Sequence, residues 1–234
     1  MVGDLFIVAT PIGNLEDISL RALQVLKEVD LILCEDTRKT KKLLAHYNIK
    51  TPVLSYHQHS KIEKMKRIFK MLQRGKNLAL VSDSGTPGIS DPGNKLIDFL
   101  HQKTNTQVKI IPIPGPSSLL ALASISGLPM DKFVFLGFPP HKNKRNRFFE
   151  ELLCQLKNFK HPVIFYESPY RIIKTLEDIY ERIQPFDLNY QAVVGREITK
   201  KFEAIYRGTI KEVIEKIKHD KIKGEFTAII YQNK

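Results

Sequence analysis

The chain has 234 residues, with 37 Lys and Arg against 25 Asp and Glu, a formal charge of +12. Its 42% hydrophobic and 26% charged residues are ordinary for a globular protein and exclude disorder as the main state. The longest apolar stretch, Leu119 to Leu128, is broken by Ser124, Ser126 and Gly127 and is too short to span a bilayer. The surplus positive charge suits a polyanionic partner such as RNA, DNA, an acidic membrane face or a polycarboxylate, and suits equally a lysine-rich, well-solvated surface. Cys34 and Cys154 offer neither a disulfide framework nor a zinc pair, and Met1-Val2-Gly3-Asp4 lacks the basic start of a secretion signal. A soluble, reduced, cytoplasmic protein is expected.

In chain order, Leu5 to Ala9 reads as a buried strand that stops at Pro11 and Gly13. A helical pattern through Leu20, Leu23 and Leu26 leads to a short strand, Leu31 to Leu33. Ile62, Met65, Ile68, Phe69, Met71 and Leu72 recur at three- and four-residue spacing, which predicts an amphipathic helix with a very basic outer face. Leu78 to Val81 and Val108 to Ile111 are further strands, with a helix near Lys95 to His101 between them. Strands alternating with helices imply a mainly parallel sheet with its functional loops at the strand C-terminal ends.

A second half follows Pro114-Gly115-Pro116 and the helix-like run from Ser117. Its strands are expected at Phe133 to Leu136, Val163 to Tyr166, Gln191 to Val194, Glu203 to Tyr206 and Phe226 to Tyr231. Ser168-Pro169 predicts a helix start, with Ser168 as cap, and Thr209 with Glu212 predicts a capping box. The basic stretch His141 to Arg147 reads as a mobile loop or frayed helix start. The division is thus residues 1–115 and 116–234, two α/β domains, the second with more antiparallel strands.

Three loops that directly follow strands concentrate Pro and Gly: Thr10 to Asn14, Ser82 to Gly93, and Ile113 to Ser118. Glycine admits close backbone approach of a ligand, and proline locks the loop shape beforehand. One such loop alone is a tight turn; three at one sheet edge predict a preorganised small-molecule pocket. No Walker sequence and no Gly-x-Gly-x-x-Gly follows a strand, and these loops contain no Lys or Arg. A ligand with a cationic centre and an adenine, held by backbone groups, fits better than a phosphate-rich one.

Beside this edge, Cys34-Glu35-Asp36-Thr37-Arg38 supplies two carboxylates and a guanidinium, and Asp36 or Thr37 would equally serve as a helix cap. Tyr56-His57-Gln58-His59 suits a surface loop or substrate contact better than a metal pair, because no further ligands sit at suitable spacing. No metal site is expected. Glu167 reads as support for the following helix, and Gly195 to Glu203 as a basic hairpin. Arg38 to Lys42, the helix from Lys61 to Arg74 and the stretch His141 to Arg147 would form a phosphate-tracking groove if they share a face.

Six motifs in fixed order, from about residue 4 to residue 231, carry a resemblance. They are ATPIGNLED from Ala9, CEDTR from Cys34, SDSGTPGISDPG from Ser82, PGPSS from Pro114, FYESPYR from Phe165 and GREITKKFE from Gly195. Together they resemble the family of 16S rRNA methyltransferases of the small ribosomal subunit that modify a cytidine 2′-hydroxyl, within the tetrapyrrole-methylase superfamily. The resemblance implies a two-domain α/β fold, mainly parallel in the first domain and mixed in the second, a homodimer, and S-adenosylmethionine in the cleft between the domains. It implies no membrane partner.

Carried onto this chain, the cofactor-binding positions implied are Pro11, Gly13, Asp83, Gly85, Thr86, Ile89, Ser90, Ser117, Ser118 and Thr227. Where the superfamily often has Gly-Asp-Pro, this chain has Gly85-Thr86-Pro87, so no acidic contact is assigned at Thr86. A ribose hydroxyl is a weak acid, so a carboxylate or histidine is expected to help remove its proton. Glu35, Asp36, His57 and Glu197 are the candidates, with Arg38 and Lys200 holding phosphate or orienting the carboxylates.

Overall fold

A computed structural model describes residues 1–57, 60–103, 108–142, 144–186 and 189–232. The chain divides into two compact units, Met1–Ser117 and Ser118–Lys234.

The first unit carries five parallel strands: β1 (Leu5–Val8), β2 (Leu31–Cys34), β3 (Val53–Ser55), β4 (Leu78–Val81) and β5 (Ile110–Ile113), in the order β3-β2-β4-β1-β5. Side chains alternate across a strand, so one short apolar run feeds two cores. Leu78 and Leu80 join Leu5, Leu33, Met65, Ile68, Leu72, Leu96 and Phe99 on one face. Ala79 and Val81 join Val8, Ile32, Cys34, Ala22, Leu26 and Leu44 on the other. Accordingly α1 (Leu20–Glu28) and α2 (Thr37–His46) cover one face, and α3 (Ile62–Gln73) and α4 (Asn94–His101) the opposite one.

That layering corrects one expectation. The basic segments Arg38 to Lys42 and Lys61 to Arg74 lie on helices on opposite faces of the sheet, so these two do not form one phosphate groove. Two further corrections concern strands. The run expected at Val108 to Ile111 pairs two residues later, as Ile110–Ile113, because Leu5 takes Ile110 as its register partner. The edge strand Val53–Ser55 was not anticipated, since three half-buried residues leave no periodicity to read.

The second unit begins with α5 (Ser118–Ile125) and holds a mixed sheet, β6 (Val134–Phe135), β7 (Val163–Glu167), β10 (Phe226–Gln232), β8 (Tyr190–Arg196) and β9 (Ala204–Thr209), in that spatial order. Only β6 and β7 pair in parallel; the others are antiparallel. Three helices, α6 (Arg145–Cys154), α7 (Ile172–Ile183) and α8 (Ile210–Lys218), share one core with Phe165, Val194, Phe226 and Ala228. α5 packs on β8 and β10.

The capping box of α8 forms as expected: Thr209 Oγ1 accepts from Glu212 N–H, and Glu212 accepts from Thr209 N–H. The Ser168 cap does not. α7 starts three residues later with Arg171 at its N-cap position, and Ser168 instead closes a turn whose carbonyl accepts from the Arg171 and Ile172 amides. Among the described residues no helix is long and apolar enough to cross a membrane.

Candidate functional site

In a parallel sheet flanked by helices, ligands bind outside the carboxyl ends of the strands. Here that edge is built by hydrogen bonds between the Pro- and Gly-rich loops themselves. Thr10, just past β1, and Gly85, past β4, form an isolated antiparallel bridge: Thr10 N–H donates to Gly85 O (2.9 Å) and Gly85 N–H to Thr10 O (3.0 Å). Buried Thr10 donates its hydroxyl to Ser82 O (3.2 Å), and Ser82 Oγ donates to Gly85 O (3.0 Å). Thr86 Oγ1 donates to Pro116 O (3.3 Å), which ties in the loop after β5.

Glycine is required at two points. Gly85 has φ +80°, a left-handed backbone that a side chain disfavours. A Cβ at Gly115 would lie 3.0 Å from the Ala9 Cβ, so its absence lets the loops after β1 and β5 touch. Pro11 is half-buried, and Gly13, Ile89 and Ser90 are exposed, so this tied framework presents loop backbone to a ligand.

The loop after β2 joins the same edge. Asp36 N–H donates to Asp83 Oδ1 (3.0 Å), and Lys39 Nζ pairs with Asp83 Oδ2 (2.9 Å). Both Asp83 oxygens are therefore engaged in holding two loops together, a role that sequence reading missed because Asp36 and Asp83 lie far apart in the chain. Asp36 caps α2 by accepting from Arg38 N–H (2.8 Å), and its side chain meets the Arg38 guanidinium at 3.1 and 2.8 Å. Those contacts hold the Asp36 carboxyl well below the usual carboxylate range, which makes it a poor proton acceptor. Glu35, its half-buried neighbour, has neither a cap nor an ion pair among the described residues. His57 follows β3 and is exposed, with its N–H donating to Ser60 Oγ (2.8 Å); Gln58 and His59 lie outside the described residues. Burial pushes the Cys34 thiol up, away from nucleophile character.

The remaining candidates belong to the second unit. Ser118 opens α5, and Thr227 is buried within β10, opposite Tyr166 and Gly195. Glu197 Oε1 accepts from Lys200 Nζ (2.8 Å) and from Glu225 N–H (2.9 Å). Burial opposes its charge, yet the ammonium and the amide hold the Glu197 carboxyl below its usual range. Glu197 thus clasps a turn, and Lys200 bridges it to Glu225 (2.9 Å). Among the described residues no group of three His, Cys, Asp or Glu side chains could hold a metal ion.

The model of the tetrapyrrole (corrin/porphyrin) methylases matches residues 4–214. The chain belongs to that family. Within it, this chain is 43% identical over 231 residues to the ribosomal RNA small subunit methyltransferase I of Halalkalibacterium halodurans, covering 99% of this chain and 76% of the relative. It is 42% identical over 229 residues to the protein of that name from Thermotoga maritima, covering 98% of each. A solved uroporphyrin-III C-methyltransferase from Thermus thermophilus, complexed with S-adenosyl homocysteine, superimposes with a TM-score of 0.62 at 17% identity over 97% of each chain.

Proposed function

We propose that this chain is an S-adenosylmethionine-dependent methyltransferase that methylates a cytidine ribose 2′-oxygen in 16S rRNA of the small ribosomal subunit. The observation that carries the reading is identity of about two residues in five, over nearly the whole length, to relatives named for small-subunit rRNA methylation. The residues at the sheet edge fit the cofactor. The three loops contain no Lys or Arg, which suits a cationic ligand, and the Thr10–Gly85 bridge fixes exposed backbone before any ligand arrives.

When bound, S-adenosylmethionine supplies a methyl group activated by a sulfonium, with a neutral thioether as leaving group. Gly85, Ile89, Ser90 and Ser117 would hold its methionine end, and Pro11 and Gly13 would shape the floor. The protein's remaining task is to place the ribose 2′-oxygen in line with the transferred carbon and accept its proton. Glu35 is the favoured acceptor, because Asp36 is committed to Arg38 and Glu197 to Lys200. Asp83 positions Glu35 by holding the Asp36 amide. The chain works in the cytoplasm, as a homodimer.

Tritiated-methyl transfer to small-subunit particles from a strain lacking this protein, followed by nucleoside mapping, tests the reading. A labelled 2′-O-methylcytidine in 16S rRNA is expected. No label in the RNA of those particles, with methyl transfer to a tetrapyrrole precursor supplied in a parallel reaction, would refute it.

A further inference from the structure

The second unit carries a surface that the methyl-transfer reading leaves unused. Residues 132–149 contain five Lys and Arg and no Asp or Glu. Within this run Phe138 is 53% exposed, and on the adjoining turn Tyr170 is 95% exposed. Single exposed aromatics are common and need no explanation. These two differ because the segments bearing them are pinned together. Tyr166 N–H donates to Gly137 O (3.0 Å), and the Phe138 ring lies against Tyr166 at 5.3 Å between centroids. Arg171, next to Tyr170, donates from Nη1 to Pro139 O (2.9 Å).

The pins are fastened in the interior. Glu167, its side chain fully buried, pairs with Arg171 (2.7 Å) and accepts from Thr175 Oγ1 (2.8 Å). Arg145 donates to the same Thr175 hydroxyl (3.0 Å) and pairs with Asp178 (2.9 Å). One network centred on the buried Glu167 and Thr175 therefore anchors both Pro139 and Arg145. Burying a charge is costly unless its partners are well placed and its remaining atoms are hydrogen-bonded. Glu167 meets that condition with Arg171, Thr175 and the Ser168 amide, which favours one geometry here. Between the pins Lys142 and Lys144 stand exposed, as does Arg147 beyond them, and none of the three enters an ion pair among the described residues.

We infer that this surface is a preorganised platform for an unpaired RNA strand, with Phe138 and Tyr170 stacking on bases and Lys142, Lys144 and Arg147 on phosphates. A base offers its π face to an aromatic ring only when it is unstacked, and within an A-form duplex those faces are covered by the neighbouring base pairs. An unpaired strand therefore matches aromatics flanked by cations better than a duplex does. The inference rests on the proposed RNA methylation for its choice of nucleic acid, and it names the RNA feature that the protein grips outside the reacting nucleotide.

The test is fluorescence anisotropy with short labelled single-stranded and duplex RNAs, run on the full chain. Phe138→Ala/Tyr170→Ala should bind the single strand at least roughly tenfold more weakly, as loss of base stacking costs, with the salt slope unchanged. Lys142→Gln/Lys144→Gln/Arg147→Gln should flatten the log–log salt slope by about 0.7 per charge. S-adenosylhomocysteine affinity by calorimetry should stay at the wild-type value in both variants, which reports an intact fold. Wild-type single-strand affinity in the aromatic variant would overturn the platform, even if methyl transfer to rRNA is intact. Loss of the single strand in that variant, without any rRNA methylation by the wild type, would keep the platform and remove the proposed substrate. Wild-type binding of naked RNA with lost binding of small-subunit particles would place a ribosomal protein on this surface and overturn the RNA assignment.

Discussion

Replacing Glu167 by Gln isolates what the buried network contributes. Glu167 Oε1 accepts from Ser168 N–H (2.7 Å) and faces Arg171 (2.7 Å), while Oε2 accepts from Thr175 (2.8 Å). A glutamine with its oxygen at the Oε1 position keeps the first two contacts. Its amide then meets a Thr175 hydroxyl that already receives Arg145, so the shape survives and the charge does not. Removing one partner of a buried ion pair costs about 3–5 kcal/mol, because the other charge remains uncompensated. Arg171 keeps a second acceptor at Pro139 O, and 18% of its side chain is exposed, so the low end applies, about 3 kcal/mol.

At about 1.4 kcal/mol per factor of ten, amide protection in β7 and β10 should fall roughly a hundredfold in hydrogen exchange, with amides of the first unit unaffected. Glu167→Met/Arg171→Met, which removes both charges, should recover part of the loss, since a buried pair replaced by apolar groups is often near neutral. A loss below about 1 kcal/mol in Glu167→Gln, or a double variant no better than the single, would show that the network does not brace this unit.

Other outcomes follow from the same contacts. Glu35→Gln should lower single-turnover methyl transfer by about 10²–10⁴, the range for a general base, while Asp36→Asn keeps most activity and loosens the start of α2. Equal losses in the two would contradict the division of roles between them. At Gly85 an added Cβ would sit 3.4 Å from Ile12 Cγ2, so space is adequate and the cost is the φ of +80°. Gly85→Ala should therefore cost roughly 1–2 kcal/mol in stability, and Gly85→Val should abolish S-adenosylhomocysteine binding in calorimetry while the protein stays folded. Asp220, which accepts from Tyr206 OH (2.6 Å) and pairs with Arg196 (3.0 Å), has its carboxyl pulled down from 3.8 to about 2. A depressed carboxylate stabilises the fold above its unfolded value and loses that effect as pH falls through the folded one. Thermal unfolding should thus fall more steeply between about pH 4 and pH 2 in the wild type than in Asp220→Asn.

Much of this protein was legible in the residues alone. Apolar runs such as Leu78 to Val81, broken by Pro and Gly, announced buried strands of a parallel sheet, and the Thr209–Glu212 spacing announced its capping box, because both signals are local. The six ordered motifs likewise pointed to a family that residues 4–214 match. What the sequence left open depends on contacts between distant segments. Only the folded chain shows that Asp83 spends its carboxylate on the loop after β2, that Asp36 is tied to Arg38, and that the basic helices α2 and α3 lie on opposite faces. Nor does any local pattern reveal that Glu167 reaches Thr175 and, through it, Arg145. A carboxylate's proton affinity and a loop's rigidity are set by whatever the fold brings within hydrogen-bond reach, and only the tertiary structure decides that.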